Sequence, residues 1–518
     1  PGDRGPACFS DPEPQGRRAR CGRGGNVALS GTARAARGGS LDATMLWSPA
    51  AAWARGHAAA LACTLAVVAS GMALSLLWLP LVDHGSGWLT PGDLWGTFRD
   101  AHLVGWGGEA DIYQSGTGYL SPPAFPVLLA PVAMASGALH LTESLPLFLR
   151  HPTAWLLLGP AGFLCVAPLL LAGDAVARRL VVPRARRVAS LWVCAGLSVP
   201  LLWLWGHPED LLALACALYA LLAAWSGRWT KAACLVGLGL AFQPLVVLVL
   251  PVVLARVPWR QLPRAIAIAA APAVLLLAAP FAHAWRTTLH AVVDQPTFPA
   301  LGHATPWLAL APALHAHGPG MLPEPGRLFT TSAQATAGGP GRILAVVLAV
   351  ALGLLVRRLR PSEQTVVAVA ALCLSLRCVF EPVMFPYYVV PALLLAVLGA
   401  AAVGRRRFVV SVGAVAACSW AAYSGAAPWA YYLLVTGLLL LACALAVRAP
   451  LGFGWQRAGE LAGGGAAVGS NGSRVAPQVG NVVGAWAPLE VCEVAVAEDV
   501  ETVATVRTLG LAIGAAEP

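Results

Sequence analysis

The chain has 518 residues, of which 58% are hydrophobic and only 11% charged, with a mean hydropathy of +0.69. Long apolar runs dominate where a soluble protein would show amphipathic periodicity, which excludes the soluble and disordered classes and leaves a polytopic membrane protein. The net charge of +10 comes almost wholly from arginine, Lys231 being the only lysine. These arginines gather in short loops between apolar runs, so they report membrane topology and argue against nucleic acid as a partner.

In chain order, residues 1–44 are rich in Gly, Arg and Ala without an apolar period and are expected to form a disordered extension ahead of Met45. Residues 45–448 carry the membrane domain. Its apolar runs lie near 58–82, 122–141, 153–177, 188–205, 211–225, 232–254, 265–282, 342–356, 365–379, 386–403, 408–424 and 428–447. That makes about twelve membrane segments, on the rule that roughly 20 apolar residues span the hydrocarbon core. The basic loops at 178–187, 226–231, 256–264, 357–360 and 404–407 should all be cytoplasmic.

Strict alternation cannot satisfy every one of these loops, so two segments must fail to cross. One is 232–254, broken by Gln243-Pro244; the other is 122–141, opened by Pro122-Pro123 and interrupted by Pro131 and Gly137. Both read as re-entrant, which a bilayer tolerates where the loosened backbone is buried in protein. The expected fold is all-α, with about 10 full crossings, two re-entrant segments and both ends cytoplasmic. It has a long first external loop at 83–121 and a second at 283–341. Residues 449–518 read as a flexible tail, and the twelve cysteines, mostly inside apolar runs, read as small core residues.

This topology puts the ionisable groups on one face. The stretch GDLWGTFRDAHLVGWGGEADIYQSGTGYLSPP, residues 92–123, brings Asp93, Arg99, Asp100, His102, Glu109, Asp111 and Tyr113 to a membrane edge, and its aromatics suit an interfacial helix. Long loops inside compact proteins tend to be functional. In WGHPEDLLAL, Pro208 with Glu209 and Asp210 is ordinary helix-start chemistry, but His207 is not accounted for by it. In LCLSLRCVFEPVMFPYY, Arg377 and Glu381 lie in apolar sequence. An ionisable group at membrane depth costs about 2.5–3.5 kcal/mol on insertion scales, so it faces a cavity and has a partner. Two readings stay open there: an internal Arg377–Glu381 salt bridge, or an arginine whose fork of donors grips a phosphate. The histidines of 283–341 lack metal-motif spacing, and neither a metal nor a cofactor is expected.

These residues resemble a known family. A membrane helix followed by DLWGTFRDAH from Asp93, then Gly107, Gly108 and Tyr113, then YLSPPAFPVLLAPVA from Tyr119, is similar to the polyprenol-phosphate-sugar-dependent glycosyltransferases of the GT-C superfamily, and most of all to glycosyltransferase family 87, a mannosyltransferase-like group. GHPEDLLALACALYALLAAWSGRWTKAACLVGLGLAFQP and RCVFEPVMFPYYVVPALLLA extend the likeness over roughly residues 58 to 447. The break that often reads Lys-Pro in the family is Gln243-Pro244 here, and Phe98 stands where tyrosine is common.

The resemblance implies an enzyme of the plasma (inner) membrane with its active face external. It would transfer mannose, with inversion, from a polyprenyl-phosphate donor to a lipid-linked or envelope glycan acceptor. Asp93 matches the family's catalytic base, with Asp100 and Asp111 as rival carboxylates; Arg377 and Arg99 would hold the donor phosphate; His102, His207, Glu209, Asp210, Tyr113 and Glu381 would bind substrate. Membrane lipids are the remaining partner. The alternative is a transporter or flippase of lipid-linked saccharides, which should show paired discontinuous helices in related halves.

Overall fold

The computed structural model describes residues 51–78, 81, 87–114, 121–142, 151–295, 303–315, 334–423 and 428–447. The expectations for 1–44 and 449–518, and for parts of the two long loops, lie outside the described residues. By contacts the chain separates into Pro1–Trp53 and Ala54–Pro518. Of the first unit only residues 51–53 are described, and they are helical.

The second unit is a helical bundle: α1 (Ala58–Trp78), α2 (Gly92–Gly105), α3 (Ala124–Ala138), α4 (Trp155–Leu164), α5 (Val166–Arg179), α6 (Arg184–Pro200), α7 (Pro208–Trp225), α8 (Trp229–Phe242), α9 (Leu250–Leu254), α10 (Leu262–Leu289), α11 (Gly339–Leu359), α12 (Glu363–Phe380), α13 (Val390–Val403), α14 (Arg405–Tyr423) and α15 (Pro428–Leu445). The one sheet among the described residues pairs two three-residue strands, Ala313–His315 and Gln334–Thr336.

Among the described residues, eight helical stretches are long and apolar enough to cross a membrane: Ala58–Trp78, Trp155–Arg179, Arg184–Trp205, Pro208–Trp225, Trp259–Asp294, Gly339–Leu359, Glu363–Phe380 and Pro386–Val403. The chain is therefore a multi-pass helical membrane protein. Its outer helices agree with this. Only 22% of the apolar 18-residue window of Trp259–Asp294 is buried, and Val274 and Leu275 turn outward, whereas 83% of Pro208–Trp225 and of Pro386–Val403 is buried. Water would not tolerate so much contiguous exposed apolar surface, and lipid covers it at no cost.

The arginine loops meet at one pole. Arg179 forks onto Glu363 at 2.9 and 2.7 Å, Arg256 donates to the Pro361 carbonyl, Arg357 to that of Val257, and Arg186 to that of Ala401. From this basic pole α6 runs to Gly206, α7 returns, and α8 runs out again until Gln243 meets Asp210 at the start of α7. Pro244 disfavours helical backbone at Gln243, which is extended (φ −152°, ψ 124°). A 3₁₀ turn, Pro244–Leu248, and α9 then bring the chain back to the basic pole at Arg256.

Two local expectations change. The run at 122–141 is not interrupted at Pro131 or Gly137 but forms one continuous helix, Ala124–Ala138, with Pro131 inside it. At 15 residues it is only about 22 Å long, short of a hydrocarbon core. The segment expected to become loop at 283 stays helical to Leu289 and closes with a π turn, His290–Asp294, bending at Ala284 (φ −140°, ψ 61°). His283 and Arg286 suggested a loop, but helical hydrogen bonds use the backbone and do not require apolar side chains there.

Candidate functional site

The site grows from Gly206. α6 ends in a π turn, Leu201–Trp205, and Gly206 leaves it with φ +71°, the left-handed conformation that favours glycine. A Cβ here would lie 2.8 Å from Pro91 Cβ and 2.9 Å from the Leu94 nitrogen. Glycine thus permits both the turn and the close approach of the α2 N-terminus. The next residue, His207, is the N-cap of α7, and Pro208 takes the first helical position.

That approach places Asp93 against His207. The imidazole Nε2 lies 3.2 Å from Asp93 Oδ2, and Nδ1 lies 2.8 Å from Glu209 Oε1. Burial works against the charged imidazole, but the Glu209 and Asp93 carboxylates outweigh it and hold its pKa well above the ordinary value. Asp93 stays 51% exposed, Glu209 is buried, and Asp210 is fully buried. Asp210 Oδ1 accepts from Gln243 Nε2 at 2.7 Å, so the α8 break delivers a neutral donor to this carboxylate.

The opposite wall comes from the junction of α12 and α13. Arg377 lies in the last turn of α12, where a cation suits the helix dipole, and Glu381 is its extended C-cap. Residues 303–305 hold the unwound 382–384 segment in strand-like fashion: Thr305 N donates to Pro382 O, Met384 N donates to His303 O, and Ala304 bridges Val383. Arg342, in the first turn of α11, spreads its Nε over both Glu381 oxygens at 3.0 and 2.9 Å and gives Nη1 to the Asp294 carbonyl. Arg377 is therefore the looser partner of Glu381, at 3.8 Å, and its guanidinium lies 3.6 Å above the Tyr388 ring.

Aromatic rings join the two walls. His207 stacks on Tyr387 at 4.2 Å, Tyr387 meets Tyr388 edge-on at 4.6 Å, and Trp205 tilts over Tyr387 at 5.2 Å. Within this assembly Glu209 Oε2, Asp210 Oδ2 and Arg377 Nη1 are buried with no hydrogen-bond partner among the described residues. Buried polar atoms left open carry a large free-energy cost, and such atoms cluster where a ligand completes them.

Six of the sequence-derived candidates thus converge: Asp93, His207, Glu209, Asp210, Arg377 and Glu381. The other four form a separate group, on the later turns of α2 and, for Tyr113, just beyond it. Asp100 is two turns from Asp93, about 10 Å along the axis, and almost wholly buried. Burial pushes its pKa up to about 8, against a lowering effect of Arg99, whose Nε is 3.9 Å away. Tyr113 donates to the Ser121 carbonyl at 2.7 Å, its hydroxyl pKa raised by burial and then by Asp100. His102 packs edge-on against Phe98. Asp111 pairs with His283 at 3.1 Å, and no group of three His, Cys, Asp or Glu among the described residues is placed to hold a metal ion.

Sequence reasoning missed Arg342, Gln243 as a contact, and the rings of Tyr387 and Tyr388. Arg342 had one usable signal: a charge inside the first turn of an apolar helix needs a partner. Set against protein-family models and against curated proteins, the chain gives no match.

Proposed function

We propose that the chain is an integral membrane glycosyltransferase of the GT-C kind, transferring mannose from a polyprenyl-phosphate donor to a lipid-linked or envelope glycan acceptor with inversion. What carries this reading is one juxtaposition: a solvent-reachable carboxylate, Asp93, and a buried guanidinium with an open N–H, Arg377, share the pole opposite the basic loops. By the positive-inside rule that pole faces outward. In the proposed topology Arg405–Tyr423 and Pro428–Leu445 add to the eight long helices to make ten crossings, while Ala124–Ala138 and the broken segment at Gln243 enter without crossing.

In this reading the acceptor hydroxyl gives its proton to Asp93 as its oxygen attacks the anomeric carbon. The bond from that carbon to the lipid phosphate breaks, and the phosphate keeps the electron pair. A phosphate leaving group needs no proton, so one base and one cation suffice. His207 positions Asp93 from one side and is itself held by Glu209. Because Arg342 neutralises Glu381, the charge of Arg377 remains available to the phosphate, with Arg99 as a second cation further along α2. Trp205, half-buried beside Tyr387, offers an aromatic surface to the sugar ring. Asp93 is better suited than Asp100 to act as base, since Asp100 is sealed inside the protein.

The test is transfer of labelled mannose from synthetic polyprenyl-phosphate-mannose to an envelope lipid extract by the purified protein; no transfer with any envelope acceptor removes the reading. The broken segment whose Gln243 reaches a buried Asp210 favours a second reading, a transporter or flippase of lipid-linked saccharides. Movement of intact glycolipid across a proteoliposome membrane, without transfer, selects it.

A further inference from the structure

At the basic pole, α11, α12 and α15 leave a groove of about 220 Å³ with almost no polar wall. Leu355 and Leu359 form one side, Ala368 and Leu372 the floor, and Leu440 and Ala444 the other side. The small alanines open the crease. Its mouth is cationic. Arg358 and Arg360 flank the lining residue Leu359 in the chain and are exposed, and neither side chain makes a hydrogen bond or ion pair among the described residues. The nearby acid, Glu363, is already taken in a two-pronged contact by Arg179. Arg407 donates to the Val447 carbonyl, and Val447 lines the same mouth.

Backbone geometry adds to the case. Arg360 closes α11 in the left-handed conformation, φ +47° and ψ 52°, a place that normally falls to glycine or asparagine. Holding a long cationic side chain there runs against local preference, and residues in such strained positions concentrate at binding sites.

We propose that this groove binds one anionic phospholipid of the cytoplasmic leaflet, with an acyl chain between α11, α12 and α15 and the phosphate held by Arg358 and Arg360. Charge complementarity chooses the occupant. An apolar slot alone would take any lipid tail, whereas two unneutralised arginines at its mouth select a headgroup with net negative charge; basic pockets between membrane helices bind such headgroups. The site lies at the pole opposite Asp93 and is independent of the glycosyltransferase reading.

The experiment uses the full chain in detergent, exposed to equal phosphatidylglycerol and phosphatidylcholine, with retained lipid counted by native mass spectrometry. The wild type should retain phosphatidylglycerol selectively, one molecule per chain. Each arginine contributes about fivefold to retention, so Arg358→Gln with Arg360→Gln should lower it by about 25-fold. Both residues are exposed, so the double variant should keep its thermal midpoint. Ala444→Phe fills the crease, leaves the charges in place and should also abolish selective retention; Ala368→Leu does the same from the floor and serves if the first variant does not fold. Equal retention of the two lipids overturns the proposal. So does wild-type retention in the arginine double variant, or in the groove-filled chain. A dimer mass without lipid assigns the groove to a second copy, and preference for polyprenyl phosphate over phosphatidylglycerol assigns it to an isoprenoid; either result also overturns it.

Discussion

Asp174 and Asp210 are both aspartates sealed inside the same bundle, at opposite poles, and they are treated differently. Asp174, near the end of α5, has both oxygens engaged: Oδ1 meets Arg187 at 3.0 Å, and Oδ2 meets Arg178 at 2.5 Å and His57 at 3.1 Å. Its three partners come from α5, α6 and the residue ahead of α1, so one carboxylate ties three elements together. Asp210 has one neutral donor, Gln243, and an open Oδ2, with the open Glu209 Oε2 and Arg377 Nη1 in the same assembly. A saturated buried charge holds structure. An unsaturated cluster costs stability, and the cost is recovered only when something else completes it.

The largest effect should come from the exposed member of the open cluster. Asp93→Asn keeps size and shape but cannot take a proton, so transfer should slow by roughly 10²–10⁴ while lipid-donor binding and the thermal midpoint hardly move. Wild-type turnover in this variant would leave the comparison without its catalytic half.

Next is Arg342→Gln, which removes the close partner of the buried Glu381 and leaves Arg377 at 3.8 Å to compensate. It should destabilise the fold by about 3 kcal/mol, the scale for breaking a buried pair. Arg377 should also be drawn toward Glu381, so donor affinity should fall together with stability. Loss of stability with unchanged donor affinity would separate Arg377 from the phosphate.

Asp174→Asn should cost less, about 1–3 kcal/mol, because its cations are partly exposed and water can take over their solvation. Mannose transfer per folded molecule should stay at the wild-type rate; a selective loss of turnover would mean that the two poles are coupled.

Asp100→Asn should have the smallest effect on transfer, but it should raise stability at neutral pH and carry a recognisable pH signature. The native pKa of Asp100, about 8, stands above the ordinary 3.8, so the folded state binds more protons than the unfolded one between these values. Its contribution is complete below about pH 4 and is lost as pH rises toward about 8. Asn, a neutral isostere of the protonated acid, should flatten the decline in stability over this window. An unchanged pH profile in the variant would show that Asp100 is ionised in the native protein.

Much of the candidate site could be read from local signals. Asp93 stood out as an acid at the start of an interfacial stretch, His207 as a histidine ahead of a proline-started helix, and Arg377 and Glu381 as charges in apolar sequence. Their convergence could not be read, because it depends on Gly206 admitting the α2 N-terminus and on residues 303–305 pinning the unwound 382–384 segment, contacts nearly 80 to more than 100 residues apart in the chain. Nor did spacing alone choose between partners for Glu381. An i,i+4 pairing with Arg377 is available in any helix, but Arg342 reaches the carboxylate with better geometry from another element.

By itself the sequence determined the class of protein, the position of most membrane helices and the break at Gln243-Pro244. Each of these follows from a property carried by the segment alone: apolar length against bilayer thickness, and the steric demand of proline on the preceding residue. The tertiary structure decided which charges are saturated and which are open. Asp174 and Asp210 are the same letter, each followed by apolar helical residues. Part of the difference is local, since Arg178 lies four residues from Asp174; the rest lies in Arg187, His57 and Gln243, which other elements bring within about 3 Å and which no short window contains.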